Sequence, residues 1–89
     1  MIEKTFLIIN KLGLHARASA KFVTTASQFE SDISVSRNGR AVNGKSIMGM
    51  MMLAASKGTE IIVSAEGDDA EQALKEIEDL IQSYFGEGE

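Results

Sequence analysis

Residues 33–42, ISVSRNGRAV, decide the fold of this chain. Ile33 and Val35 alternate with serines, which is the period-two pattern of a half-buried strand. The pair Asn38 and Gly39 then interrupts the pattern before Val42, and an Asn-Gly pair between apolar runs is a strong sequence signal for a β-hairpin. The sequence therefore predicts two antiparallel strands joined by a tight turn.

Two more strands are predicted on either side of this hairpin. Residues 2–9 are rich in β-favouring side chains, and Phe6 and Ile8 share one face. Residues 60–65 also carry a strand pattern, and an acidic turn at residues 66–69 follows. We expect four strands in all.

Two helices are predicted between the strands. Residues 16–29 place their apolar side chains at helical spacing, so an amphipathic helix follows the first strand. A second, short helix is predicted over residues 47–55. Ser46 suits its N-cap, and Gly58 suits the left-handed position that often follows a helix.

A third helix is predicted near the end of the chain. Asp69, with Gln72 three residues later, has the pattern of a capping box, and the helix is expected to end at Gly86 before a short acidic tail. Helices with narrow apolar faces are best buried on one side of a single sheet, which predicts an α+β, two-layer architecture. The apolar stripe of this helix comprises Ala70, Ala73, Leu74, Ile77, Leu80, Ile81 and Tyr84.

Composition excludes several classes of function. A chain of 89 residues is expected to form one domain over positions 1–89 and to act as a monomer. It has no cysteine and one histidine, so we expect no disulfide, no metal site and no cofactor. A net charge of −4 disfavours nucleic-acid binding. No apolar run is long enough for membrane insertion and no signal-peptide pattern is present, which predicts a cytoplasmic protein.

The single histidine lies where the strand pattern gives way to the first helix pattern. It belongs to residues 13–17, GLHAR, so His15 and Arg17 are expected at a helix N-terminus. Such an end offers free N–H groups and a positive dipole to an anion, here the N–H groups of Ala16, Arg17 and Ala18. The pattern indicates a nucleophilic imidazole beside a phosphate site. The alternative is a surface histidine next to an ordinary basic residue.

The second candidate site is the short helix after Ser46. Ile47, Met50 and Leu53 are expected to supply its buried side. Exposed methionines form an adaptable surface, so the remaining methionines indicate a docking face for partner proteins. A phosphate on Ser46 would place negative charge at the edge of this face, which suggests a regulatory switch. The remaining methionines are Met48, Met51 and Met52.

Three segments resemble the HPr family, the histidine-containing phosphocarriers of the bacterial phosphoenolpyruvate-dependent phosphotransferase system. They are residues 13–17 (GLHAR), residues 42–49 (VNGKSIMG) and residues 63–67 (VSAEG), and the likeness covers essentially the whole chain. The resemblance implies an open-faced sandwich with three helices on one face of an antiparallel sheet. The strand order it implies is first, fourth, second, third.

The resemblance also implies roles for individual residues. His15 would accept a phosphoryl group through Nδ1 from phosphorylated enzyme I and pass it to an EIIA domain, with Arg17 assisting. Ser46 matches the position phosphorylated in many members by a serine kinase, the HPr kinase/phosphorylase. The docking patch that the family implies is Ala20, Ile47, Met48, Met51 and Met52.

Several positions depart from the usual family pattern. Ala18 stands where proline commonly follows the arginine, and Thr24, Ser27 and Gly49 stand where basic residues are frequent. Some features resemble the nitrogen-related branch, in which a carrier can act as a regulatory adaptor by protein binding. A hydrolase similar to acylphosphatase is the alternative from another class, although its phosphate-cradle motif is absent.

Overall fold

Four antiparallel strands form one sheet in the order β1-β4-β2-β3 in a computed structural model that describes residues 1–88. The register brings Phe6 opposite Ile61 and Val35 opposite both Val63 and Val42. Side chains that lie opposite each other on neighbouring strands therefore point to the same face of the sheet. The strands are β1 (Ile2–Leu7), β2 (Asp32–Arg37), β3 (Arg40–Asn43) and β4 (Glu60–Glu66).

Three helices lie on one face of this sheet, as the sequence predicts: α1 (Ala16–Ala26), α2 (Ile47–Met52) and α3 (Ala70–Gln82). A 3₁₀ turn, Tyr84–Gly86, follows α3. The helices and the inner face of the sheet share one hydrophobic core, which is the open-faced sandwich expected above. The largest fully buried apolar side chains are Phe22, Phe85, Ile8, Met50, Ile61, Ile77, Ile81, Val35 and Val63.

The predicted hairpin is confirmed in its turn as well as in its strands. Asn38 and Gly39 both adopt positive φ, at 51° and 80°. This is the backbone that a two-residue hairpin turn requires, and it favours asparagine and glycine at these two positions.

Helix and strand ends differ from the predicted bounds. The first strand ends at Leu7, although Ile8 still exchanges backbone hydrogen bonds with residues 58 and 59. The first helix ends at Ala26, and two tighter turns carry the chain to Phe29. α2 ends at Met52, earlier than predicted, and Ala54 is the first residue after it with positive φ, at 52°; Gly58 also has positive φ, at 91°.

Three local predictions are wrong, two about burial and one about helix capping. Ile47 is 44% exposed, so only Met50 of α2 and Leu53, which follows the helix, enter the core. Tyr84 is exposed and Phe85 is buried instead, because the chain leaves helical geometry after Gln82 with positive φ at both aromatic residues.

The third wrong prediction is the capping box. The Asp69 carboxylate makes no cap hydrogen bond to α3 and bonds Glu30 and Ser31 instead. Gln72 bonds Glu76 on the same helix.

Candidate functional site

The loop before α1 is held against the loop that follows α2. Gly13 has φ +65°, and a Cβ at this position would lie 2.5 Å from the carbonyl oxygen of Ala55. The next residue, Leu14, donates its backbone N–H to that same oxygen over 2.8 Å. Only glycine allows both the left-handed backbone and this close approach. The entry to α1 is thereby fixed.

His15 is the N-cap residue of α1, at the position the sequence predicts. Its carbonyl accepts the first helical hydrogen bond, from the N–H of Ser19 at 2.8 Å. Its backbone is extended and its side chain makes no capping bond to the helix. The imidazole therefore does not cap the helix, and it is 27% exposed. It can be reached by a group on another protein.

The first turn of α1 presents unpaired backbone donors. Within residues 1–88, the N–H groups of Ala16, Arg17 and Ala18 have no hydrogen-bond acceptor. Free N–H groups at a helix start point at any bound anion, and the helix dipole adds positive potential there. Ala18 is fully buried as a whole residue, so its only polar contribution comes from its backbone. Alanine at this position leaves the start of the helix intact.

Basic side chains line the cleft around the imidazole. Arg17, which the sequence predicts, lies there with Lys11 and Lys21, which were missed. Arg17 and Lys21 are four residues apart on α1 and so share one face of the helix. That spacing could have identified Lys21 from the sequence. A chain of net charge −4 thus concentrates three of its nine basic residues around one histidine.

A carboxylate from the end of the chain also reaches the site. Glu87 Oε2 lies 2.5 Å from His15 Nε2, and Glu87 Oε1 accepts a hydrogen bond of 3.1 Å from Asn10 Nδ2. Burial raises the pKa of the Glu87 carboxyl, but hydrogen bonds from Asn10 and His15, with charge interactions with His15 and Lys21, lower the pKa below its ordinary value overall. From the sequence, this segment is expected only to be an acidic tail.

The residues of the second candidate site lie at the start of α2. Ser46 caps α2, and its Oγ accepts a hydrogen bond of 3.0 Å from the N–H of Gly49. The neighbouring side chains of α2 are exposed, while Ala20 of α1 is half-buried. α1 and α2 pack against each other, so the helices that carry the two candidate sites are neighbours. The exposed side chains are Ile47 (44%), Met48 (74%), Met51 (45%) and Met52 (60%).

Other kinds of site are absent from the described part of the chain. Residues 1–88 contain no group of three or more histidine, cysteine or acidic side chains arranged to hold a metal ion. No helix among the same residues has the length and apolar character needed to cross a membrane.

The fold and the site define a small α+β protein that presents one histidine at a helix end with unpaired backbone N–H groups. The family model described as "PTS HPr component phosphorylation site" matches residues 2–83. The phosphocarrier protein HPr of Neisseria meningitidis serogroup A is 58% identical over the full length of both chains. HPr of Cupriavidus necator is 51% identical, also over both full lengths.

Solved structures agree with these sequence matches. A crystal structure of HPr from Thermoanaerobacter tengcongensis superimposes with a TM-score of 0.94 at 55% identity, covering 98% of each chain. The chain belongs to the HPr family, the phosphocarrier proteins of the bacterial phosphotransferase system.

Proposed function

We propose that His15 carries the phosphoryl group, accepting it on Nδ1 from phosphorylated enzyme I and passing it to an EIIA domain for sugar uptake or its regulation. The observation that carries this proposal is the position of His15 as the N-cap of α1, beside three unpaired N–H groups. Phosphoryl transfer depends mainly on positioning and on stabilising charge, which a helix end and basic side chains can supply without a metal.

Arg17 and the first turn of α1 would bind the phosphoryl oxygens. The N–H groups of Ala16, Arg17 and Ala18 offer three directed donors, and the guanidinium offers a planar set of charged donors in the same cleft. Lys21 adds positive charge one turn further along the helix. All these groups would stabilise the negative charge of the phosphoryl group.

The proposal is tested by incubating the protein with phosphoenolpyruvate and enzyme I and measuring its intact mass. We expect a gain of one phosphate that is lost in acid and is abolished in H15A. S46A serves as the control, because it removes the other proposed phosphorylation site and should keep the gain. A wild-type protein with no added phosphate would refute the carrier role. Repeated turnover of acyl phosphate without a histidine adduct would indicate a hydrolase.

We further propose that a serine kinase of the HPr kinase/phosphorylase type regulates the carrier at Ser46. Phosphate would add a charge of about −1.5 to −2 at the edge of the exposed α2 surface. S46D and S46N differ only in charge, and both side chains can cap a helix. We expect S46D to slow phosphorylation of His15 by enzyme I and S46N to leave it unchanged. Equal rates for the two variants would exclude regulation by charge at this position.

The docking patch, defined as Ala20, Ile47, Met48, Met51 and Met52, is proposed to bind enzyme I and EIIA domains in turn. Its exposed apolar area lies mainly on α2, which packs against the helix that His15 caps, and it suits partners of different shape. M48Q should raise the KM of enzyme I for this carrier. I62Q is the control, because Ile62 is also an exposed apolar residue, at 40%, but lies on the sheet. We propose that the chain works as a single-domain monomer in the cytoplasm.

A further inference from the structure

The last described residues of the chain form an ordered segment over the start of α1. Phe85 is fully buried, and its carbonyl accepts a hydrogen bond of 2.6 Å from Lys21 Nζ. The backbone N–H groups of Gly86 and Glu87 bond the carbonyls of Ser83 and Tyr84, at 3.0 and 2.9 Å. Glu87 is thus carried by an anchored turn rather than by a loose tail.

Both carboxylate oxygens of Glu87 are engaged at the site. One faces Nε2 of His15 and the other accepts from Asn10 Nδ2, which also donates to the carbonyl of Gly13 over 2.8 Å. Asn10 is fully buried, so it ties the carboxylate to the same loop that fixes the entry to α1. The Glu87 side chain is only 13% exposed.

An ionised carboxylate can only accept hydrogen bonds. The ring nitrogen that faces it must therefore carry the hydrogen, which places this hydrogen on Nε2. In a neutral imidazole the other nitrogen then holds the free electron pair. That nitrogen is Nδ1, the atom proposed above to take the phosphoryl group.

We infer that Glu87 is a positioning residue for the transfer: its carboxylate holds His15 as the Nε2-protonated tautomer and leaves Nδ1 available as the nucleophile. This role rests on the proposed function of His15. The carboxylate faces Nε2 and the phosphoryl group would bind Nδ1, so the two groups lie at different edges of the ring.

The same contact stabilises charge during the transfer. The Nδ1 electron pair forms the N–P bond, the bond from phosphorus to its donor atom on enzyme I breaks, and that electron pair remains with the donor. The hydrogen stays on Nε2, so the ring gains positive charge as the bond forms. A fixed carboxylate at Nε2 stabilises this charge, as an aspartate does for the histidine of a catalytic triad.

A carboxylate close to a phosphate site also repels the incoming anion. Here the repulsion is offset by Lys21, which bonds the backbone of the same turn, and by Arg17 and Lys11 in the cleft. Among residues 1–88, three basic side chains and one acidic side chain line the cleft. The site therefore keeps a positive balance while still orienting the ring.

The test compares wild type with E87Q in two measurements. The amide of E87Q can either donate or accept, so it no longer selects one tautomer. Ring nitrogen chemical shifts from NMR should show Nε2-protonated imidazole in the wild type and a mixture in the variant. Phosphorylation by enzyme I and phosphoenolpyruvate should be about tenfold slower in E87Q, the effect of weakening one charged hydrogen bond. E66Q, with the same charge change at the exposed end of β4, should match wild type.

The proposed role of Glu87 requires that E87Q show both a mixture of tautomers and slower phosphorylation. If E87Q keeps the wild-type tautomer, or keeps the wild-type rate, Glu87 does not position the ring. E87D restores the charge with a shorter reach, and we expect a rate between those of wild type and E87Q. A wild-type protein that accepts no phosphate overturns the carrier function itself. A wild-type protein that is phosphorylated normally, with E87Q unchanged, overturns the role of Glu87 alone.

Discussion

The carboxylate of Asp69 accepts hydrogen bonds from both the backbone N–H and the side-chain hydroxyl of Ser31. Oδ1 accepts from the Ser31 N–H at 3.0 Å and from the Ser31 hydroxyl in a short hydrogen bond, while Oδ2 accepts from the N–H of Glu30 at 2.8 Å. Ser31 is buried. Asp69 therefore ties the start of α3 to the turn between α1 and β2.

This contact makes stability depend on pH. The Ser31 hydroxyl, followed by the Glu30 N–H, lowers the pKa of Asp69 below its usual value. A carboxyl group with a lowered folded pKa stabilises the protein above its unfolded pKa, about 3.9, and loses that effect as pH falls through the folded value. D69N should therefore lower the Tm at pH 7, and the difference from wild type should shrink at lower pH.

Thermal unfolding of wild type and D69N from pH 7 to pH 2, followed by circular dichroism, measures this difference. D68N is the matched control, because Asp68 is exposed and adjacent. It should follow the wild-type curve. A gap between wild type and D69N that stays constant down to the most acidic pH would contradict the assignment.

The sequence predicted the fold where pattern and turn chemistry agree. The hairpin, the four strands and the buried faces of α1 and α3 follow from alternation, helical spacing and the Asn38-Gly39 turn. The end of α2 did not follow, because Ala54 takes a left-handed backbone that alanine rarely adopts. Tertiary contacts of the following loop, including the bond from Leu14 to Ala55, accompany that conformation.

The site could be predicted only in part for a similar reason. His15 and Arg17 are adjacent in sequence and begin a helix, so local rules place them together. Glu87 reaches the same ring across 72 positions through a turn with two non-glycine residues at positive φ. No periodicity or capping rule predicts such a turn, and an acidic tail ordinarily indicates a solvated end.

Removing the N-cap side chain of α2 should lower the free energy of unfolding by a measurable amount. In S46A the Gly49 N–H loses its acceptor, and loss of a serine cap costs about 1 kcal/mol of unfolding free energy. S46N should stay close to wild type, because asparagine caps a helix about as well as serine. Urea unfolding followed by circular dichroism gives both values. Equal stability of S46A and wild type would show that this short helix does not depend on its cap.

Phe85 should contribute more to stability than its place near the end of the chain suggests. It is fully buried among the helices, so F85A removes a large buried ring and costs about 3–5 kcal/mol. Y84A is a matched control, since the adjacent aromatic side chain is 38% exposed and should cost much less. Denaturant unfolding compares the two. Similar losses in both variants would mean that the final turn is not anchored through Phe85.

Substitution of Gly13 should destabilise the protein for two reasons: the positive φ of this residue and the close approach of a Cβ to the Ala55 carbonyl oxygen. G13A places a methyl group against the Ala55 carbonyl and requires alanine at φ +65°. G39A carries a similar backbone penalty, at φ +80°, with no atom within 4 Å of its Cβ. We expect G39A to cost about 1–2 kcal/mol and G13A to cost about 1–3 kcal/mol more. G13A should also slow phosphorylation of His15, because the entry to α1 shifts, whereas G39A should not. Equal unfolding free energies for the two variants would exclude the close approach as a determinant of the site.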